Sequence, residues 1–231
     1  MLSILKKTVH QKKTSIGANS FTAFSPLTYD VANLVEIWDF RNYVDPTIPA
    51  LLDTPTNDIT CINNPVVGAL NALGTVIFDG ISQFGNSVAP VVPQPYTIYM
   101  VLRQITSANG IICCDGVLGN TWAIGQDVSP DLLLSTDEDI LFLNPDLALN
   151  TWGIITNVMT SPLAKLRLDL NTATTRFLGI TGKDGINLGN NITSGVSFSN
   201  CEFAYIILRS AADSTAVQNL FINWLKTRFA I

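Results

Sequence analysis

The side chains able to do chemistry are few in this chain, and poorly spaced for doing it together. The single histidine, His10, sits among lysines with no acid beside it to orient it as a base. The four cysteines, Cys61, Cys113, Cys114 and Cys201, include no C-x-x-C pair, and one histidine cannot complete a zinc set. Cys113 and Cys114 are adjacent in "GIICC", where strand neighbours point to opposite faces, so buried free thiols are expected. That fits assembly in a reducing cytoplasm. The densest acidic cluster, Asp137, Glu138 and Asp139, is also consecutive and cannot converge as an acid–base pair from one strand. A solvated loop suits it better. No phosphate-binding glycine loop, dinucleotide fingerprint, EF-hand loop or H-E-x-x-H helix is present. No catalytic residue is assigned, and the chain is expected not to be an enzyme.

Composition points the same way. The chain is 47% apolar and 13% charged, against roughly 25% charged in an average soluble domain. So much apolar surface with so little charge suits a subunit covered by neighbours. The net charge of −5 hides a split. Residues 1–20 carry Lys6, Lys7, Lys12 and Lys13 and no acid, leaving nine bases against eighteen acids in the rest. A basic arm on an acidic body can dock on an acidic neighbour. Four lysines with no interleaved aromatic make a poor nucleic-acid site, and no nucleic acid is expected. "MLSILKKTVHQKK" places its apolar patch before its lysines, the reverse of a secretory signal. No run of 18 apolar residues is present, so neither a transmembrane helix nor a membrane partner is expected.

The elements that would position any site are mostly strands. "KLRLDLN" (Lys165–Asn171) alternates Leu166, Leu168 and Leu170 against Arg167, Asp169 and Asn171. "YTIYMVLRQI" is β-branched and aromatic and starts just after Pro93 and Pro95. Further runs include "NLVEIWDF", "TVIFDG", "GIICC", "TWAIG", "DILFLN", "TWGIITNVM", "TRFLGI" and "CEFAYIILR". Turn clusters such as "DTPTND" and "TGKDGINLGNN" separate them, which argues for an antiparallel sandwich or barrel. Only the end differs: Val217, Leu220, Phe221, Trp224 and Leu225 recur at helical spacing, with Asp213 or Ser214 as N-cap. A single domain over 25–231, including a helix over 213–229, follows an arm at 1–24.

The order of these landmarks resembles the concanavalin A-like lectin/glucanase superfamily, in particular laminin-G-like modules of bacterial and phage structural proteins. The resemblance rests on "EIWDFRN" (Glu36–Asn42), "VIFDGISQF" (Val76–Phe84), "YTIYMVLRQ" and "CEFAYIILRS" (Cys201–Ser210), followed directly by "STAVQNLFINWLKTRF" (Ser214–Phe229). It covers about residues 30–231. It implies an all-β antiparallel jelly-roll sandwich with a C-terminal amphipathic helix. Within it, "FDGISQF" reads as a landmark hairpin. Asp79 caps its turn and Gly80 supplies a positive φ; the alternative is that Asp79 ligates calcium, as acidic loop residues do in some relatives.

Glucanases of this superfamily carry E-x-D-x-E on one strand; this chain does not. Lectins of the fold place Asn, Asp, Gly and an aromatic on loops at one rim. By that resemblance the glycan candidates are Asp184, Asn187, Asn190 and Asn191, with Trp122 or Trp152 as stacking platform. The structural alternative is that these residues form turns and fill the core. The resemblance implies a structural protein of a virus particle, of tailed-bacteriophage type and attached to capsid, collar or tail. It would dock on other virion proteins and on copies of itself through Leu2, Ile4, Leu5, Lys6, Lys7, Lys12 and Lys13. A carbohydrate-binding module for a host-surface polysaccharide is the alternative. A degenerate glycoside hydrolase ranks last.

Overall fold

The computed structural model describes residues 24–52, 55–106, 110–116, 122–126, 132–135, 140–143, 146–177, 183–190 and 198–231. Outside the described residues lie the basic segment 1–23, with Leu2, Ile4, Leu5, Lys6, Lys7, His10, Lys12 and Lys13, the acidic cluster at 137–139, and Asn191. The alternating runs become sixteen strands among the described residues. In chain order they are β1 (Leu34–Asp39), β2 (Thr47–Ile48), β3 (Ile59–Ile62), β4 (Val66–Leu70), β5 (Leu73–Asp79), β6 (Phe84–Val92), β7 (Tyr96–Gln104) and β8 (Gly110–Cys114). They continue as β9 (Ala123–Gln126), β10 (Leu132–Ser135), β11 (Ile140–Phe142), β12 (Gly153–Thr160), β13 (Leu163–Leu168), β14 (Thr174–Phe177), β15 (Lys183–Leu188) and β16 (Asn200–Arg209), and helix α1 (Thr215–Phe229) follows.

Two antiparallel sheets divide the strands. The first runs β14-β13-β12-β7-β16-β5-β4, with β1 also paired to β16, and the second runs β11-β10-β9-β8-β15-β6-β3-β2. The fold is an all-β jelly-roll sandwich. Its main core lies between the sheets and includes Trp38, Phe78, Met100, Ile124, Ile186 and Phe203. A second core lies on the outward face of the first sheet, where Ile37, Tyr99, Val101, Ile154 and Ile207 meet Phe221, Ile222, Leu225 and Phe229 of α1. This explains the near-continuous apolar runs of β7 and β16. Both faces of those strands are covered, so alternation has no solvent side to mark. Strand β16 pairs with β7 on one edge, and with β5 and then β1 on the other.

Four sequence expectations shift locally. "FDGISQF" is not a hairpin: β5 ends in the first sheet and β6 begins in the second, so the stretch is a corner joining the sheets. The alternation in "KLRLDLN" stops at Leu168, because Asp169 turns the chain at φ 50 and exchanges bonds with Ile154, accepting its N–H at 3.0 Å. Leu170 is therefore exposed. The helix starts at Thr215, capped by the Ser214 hydroxyl, which accepts the Val217 N–H at 3.4 Å. Its buried stripe is Gln218, Phe221, Ile222, Leu225 and Phe229, which leaves Leu220 to solvent. Finally, Phe24 packs on Tyr29 and Phe221 at 5.3 and 5.0 Å between ring centroids, so it belongs with the domain. Among the described residues no helix is long and apolar enough to cross a membrane.

Candidate functional site

Among the described residues, the cysteines and the buried carboxylates are committed to structure. All four cysteines are free and buried, and burial pushes the Cys61 and Cys201 thiols up to about 12, far from the thiolate form at neutral pH. The buried carboxylates hold structure together. Glu36 accepts the N–H groups of Ile37 and Leu52 at 2.9 Å each, and the Asn57 amide at 3.0 Å. Trp38, two residues on, donates its indole N–H to the Asn57 carbonyl at 2.8 Å. The "EIWD" landmark thus straps the chain around 50–57 to β1. Asp39 takes Arg41 and Arg228 together. Glu202 takes Arg103 at 2.5 Å and the Thr75 hydroxyl, and Asp213 takes Arg209 and the Tyr99 hydroxyl.

Asp79 sits at the inter-sheet corner. Its Oδ1 accepts the backbone N–H groups of Ile81, Ser82 and Gln83 at 2.8, 2.9 and 2.9 Å, and its Oδ2 accepts the Ser82 hydroxyl at 3.1 Å. Gly80 follows at φ 70, a region L side chains rarely occupy. Burial alone would raise this carboxyl, but the four donors hold it below its ordinary range. The geometry assigns Asp79 to the turn. Among the described residues no group of three or more His, Cys, Asp or Glu side chains gathers as a metal site.

The glycan candidates separate. Trp122 is wholly buried in the inter-sheet core beside Tyr96, 6.4 Å between centroids, so it offers no face to a sugar. The expectation of a platform there is corrected: Trp122 precedes β9 on the same side as the core residue Ile124. Trp152 lies on the other sheet, half-buried, with the Arg103 guanidinium 5.3 Å above its ring. It is not beside the asparagines. Asp184, Asn187 and Asn190 do share one strand and its exit, on the second sheet.

That strand leads to a feature the sequence hid. Ile186 and Leu188 point into the core, so Asn187 between them faces outward. A bulge at Gly185, where φ is 70, sets this register against β6. Asn187 pairs with Asn86 of β6 on one side and Cys114 of β8 on the other, and Asn86 pairs with Thr60 of β3. Thr60, Asn86, Asn187 and Cys114 therefore form one row across the outward face of the second sheet. Asn187 is fully buried with neither amide atom hydrogen-bonded, and the Oδ1 atoms of Asn86 and Asn190 are buried without partners. Asn190 returns over the row, its carbonyl accepting the Cys114 thiol at 3.5 Å. Beside the row, a groove of about 460 Å³ is lined by Thr56, Asp58, Thr60, Ile62, Phe84 and Asn86. Its walls combine hydroxyls and an amide with an aromatic ring and an aliphatic chain. The alternation Phe84, Asn86, Val88 in "FGNSV" was the available signal, obscured by reading the segment as one arm of a hairpin.

No family model and no curated protein matches the sequence, whereas solved structures match the fold. A mutant Trypanosoma rangeli sialidase displaying trans-sialidase activity superposes with a TM-score of 0.65 at 12% identity, covering 86% of this chain and 34% of that one. The Trypanosoma rangeli sialidase in complex with sialic acid gives 0.63 at 11% identity, over 85% and 33%. Botulinum neurotoxin type C, which depends on interaction with two ganglioside molecules to enter cells, gives 0.61 at 12% identity, over 84% and 51%. The likeness is one of fold. The chain spans about a third of the sialidase chains and about half of the toxin chain.

Proposed function

We propose that this chain is a non-enzymatic structural module of a virus particle, a rigid concanavalin A-like block of laminin-G type that assembles with copies of itself and with other virion proteins. The attribution to a tailed bacteriophage follows from the order of sequence landmarks. The observation that carries the assembly reading is a sheet edge to which no other described strand pairs. Strand β4, "VVGAL", ends the first sheet with Val66 and Val67 at 58% and 62% exposure and no charge anywhere in it. Edge strands of monomeric proteins are ordinarily blunted by lysine, proline or a covering loop. A neighbour in a particle does the same service, and the lysine-rich segment 1–24 supplies further docking charge. The test is the mass of the full chain by light scattering beside Val67→Lys. A defined oligomer that the variant reduces to monomer supports the reading; monomers in both overturn self-assembly through β4.

A second reading is favoured by the row on the second sheet. Thr60 and Asn86 present a neutral hydroxyl and amide that match the hydroxyls of a saccharide, and Phe84 offers its apolar face a surface. The solved structures of similar fold include proteins bound to sialic acid or dependent on gangliosides. A host-surface polysaccharide would lie in the groove, making the module an adhesin as well as a building block. Glycan-array binding by the full chain, with and without calcium, tests this against Asn86→Ala. Binding lost in the variant supports it; no binding, or binding that the variant keeps, removes this groove from consideration.

A further inference from the structure

A second cavity, about 460 Å³, lies where β13, the turn after it and the start of α1 meet. Lys165, Arg167, Asn171, Thr172, Thr175 and Thr215 are among its lining residues. Lys165 and Arg167 are two apart on β13, and the residues flanking them, Ala164, Leu166 and Leu168, fill the core. Both cations therefore face outward toward the helix.

Arg167 is unusual among the buried charges of this protein. It is 4% exposed, yet each of its bonds goes to a neutral acceptor. Nε donates to the Asn171 carbonyl at 2.6 Å, Nη1 to Gln218 Oε1 at 3.2 Å and Nη2 to Asn219 Oδ1 at 2.8 Å. Arg209, the other fully buried arginine among the described residues, is held by both Asp213 and Asp30. A guanidinium has five N–H donors, and the three bonded here meet no negative charge. A buried cation without a counter-charge is costly. Asp169, two residues on, is engaged by Lys226 at 3.3 Å, and Asp213, just ahead of the helix, by Arg209 at 2.8 Å. Burial accordingly lowers the affinity of the Arg167 guanidinium for its proton.

The helix end adds to the same field. α1 has no acid in its first turn. The Ser214 cap takes the Val217 N–H and the Ser214 carbonyl takes that of Gln218, which leaves the first amides of the helix without intrahelical acceptors. Fifteen residues of aligned peptide dipoles thus end in a positive pole with no acid in the first turn, and Asp213, just before the cap, is already paired with Arg209. Hydroxyls from Thr172, Thr175 and Thr215 border the same space. In an otherwise acidic protein, this is a pocket built from two cations, a helix N-terminus and neutral donors.

We infer that this cavity binds an oxyanion, a sulfate, phosphate or carboxylate group carried by an anionic ligand, with Arg167 and Lys165 as its charge partners. The volume exceeds that of a bare ion and leaves room for the small molecule or sugar bearing it. This site is separate from the groove on the second sheet, and its outcome does not depend on either reading above. The test measures the full chain by thermal unfolding and calorimetric titration, with sodium sulfate and sodium phosphate against sodium chloride at equal ionic strength. Sulfated oligosaccharide and sialic acid form parallel arms. Thr215→Glu is the informative variant. It places a carboxylate at the pole and beside Arg167, so it should raise the melting temperature while weakening sulfate binding tenfold or more. Lys165→Gln, at an exposed position, should weaken binding several-fold and leave the melting temperature unchanged. A purely structural Arg167 would give no sulfate effect beyond chloride, or an equal effect in wild type and Thr215→Glu, and either result overturns the inference. Preference for the oligosaccharide or sialic acid over the free ions identifies a carried group. Preference for the free ions identifies the ion itself.

Discussion

The two outward faces of the sandwich are treated in opposite ways. On the first sheet, α1 covers the apolar surface, and nearly every charge around it is matched. Asp39 binds Arg41 and Arg228, and the Arg228 guanidinium lies 5.1 Å from both the Tyr205 and Trp224 rings. Arg209 binds Asp213 and Asp30 and stands 4.9 Å above the Phe221 ring. Tyr99 stacks on Phe221 at 4.8 Å and donates to Asp213. On the second sheet, Asn187 is as deeply buried but makes no side-chain hydrogen bond, and Asn86 and Asn190 each leave a buried oxygen unmet. The first face is closed by ion pairs and the helix, with Arg167 left without a counter-charge and Thr156 Oγ1, Arg209 Nη1 and Arg228 Nε without partners. The second leaves neutral amide groups unmet.

The largest effects should come from breaking the helix-covered face. Phe221→Ala empties the centre of the helix–sheet core and is expected to destabilise by about 3–5 kcal/mol. Asp213→Ala leaves the buried Arg209 with only the half-exposed Asp30 and strips the Tyr99 hydroxyl of its acceptor, and should cost about 3 kcal/mol. Chemical denaturation of both variants checks this, and a loss under about 1 kcal/mol for either would show that the helix is dispensable. The inter-sheet corner gives a middle effect. Asp79→Ala removes one acceptor from three backbone donors and should lose about 1–2 kcal/mol, comparable to a helix cap. Because the folded Asp79 carboxyl is held below its ordinary value of 3.8, its contribution is complete above that pH and is lost as pH falls through the folded value. Asp79→Asn should accordingly flatten the acid limb of a stability–pH profile, while an unchanged limb would assign the acid sensitivity elsewhere. The smallest effect belongs to the open face. Asn187→Leu replaces an unbonded amide with an apolar group of similar size and should change stability by less than about 1 kcal/mol in either direction. A loss of 2 kcal/mol or more would show that the amide is bonded in solution, and the contrast between the faces would fail.

Much of the architecture was legible along the chain. The strands announced themselves by alternation and β-branching, the helix by its spacing, and the Asp79–Gly80 turn by its residue pair. Partnership was not legible. Nothing local in "VIFDGISQF" says that its two halves enter different sheets, because a corner and a hairpin use the same turn chemistry. Trp122 and Trp152 sit in similar contexts, "GNTWAIG" and "LNTWGI", yet one is core and the other supports Arg103. The difference lies in which sheet stacks above each, a long-range fact. The row of Thr60, Asn86 and Asn187 draws on strands more than 100 residues apart in sequence. Arg167 read as the polar side of a solvated alternation, since the helix that buries it arrives 50 residues later. The near-unbroken apolar runs in β7 and β16 were the local hint that a strand could be covered twice.

The position of β16 bears on how the protein is made. Every other described strand precedes it in the sequence, yet it occupies the middle of the first sheet. A ribosome therefore delivers β1, β5 and β7 well before the strand that joins them, and none of the three pairs with another in the folded sheet. Throughout that interval the growing polypeptide carries three unzipped β-edges and two bare greasy surfaces, the inter-sheet side and the side that α1 later covers. Late insertion of a central strand is a slow, non-local step exposed to aggregation. Yield in the cell should thus depend less on final stability than on whatever shields the nascent chain until β16 and then α1 have emerged.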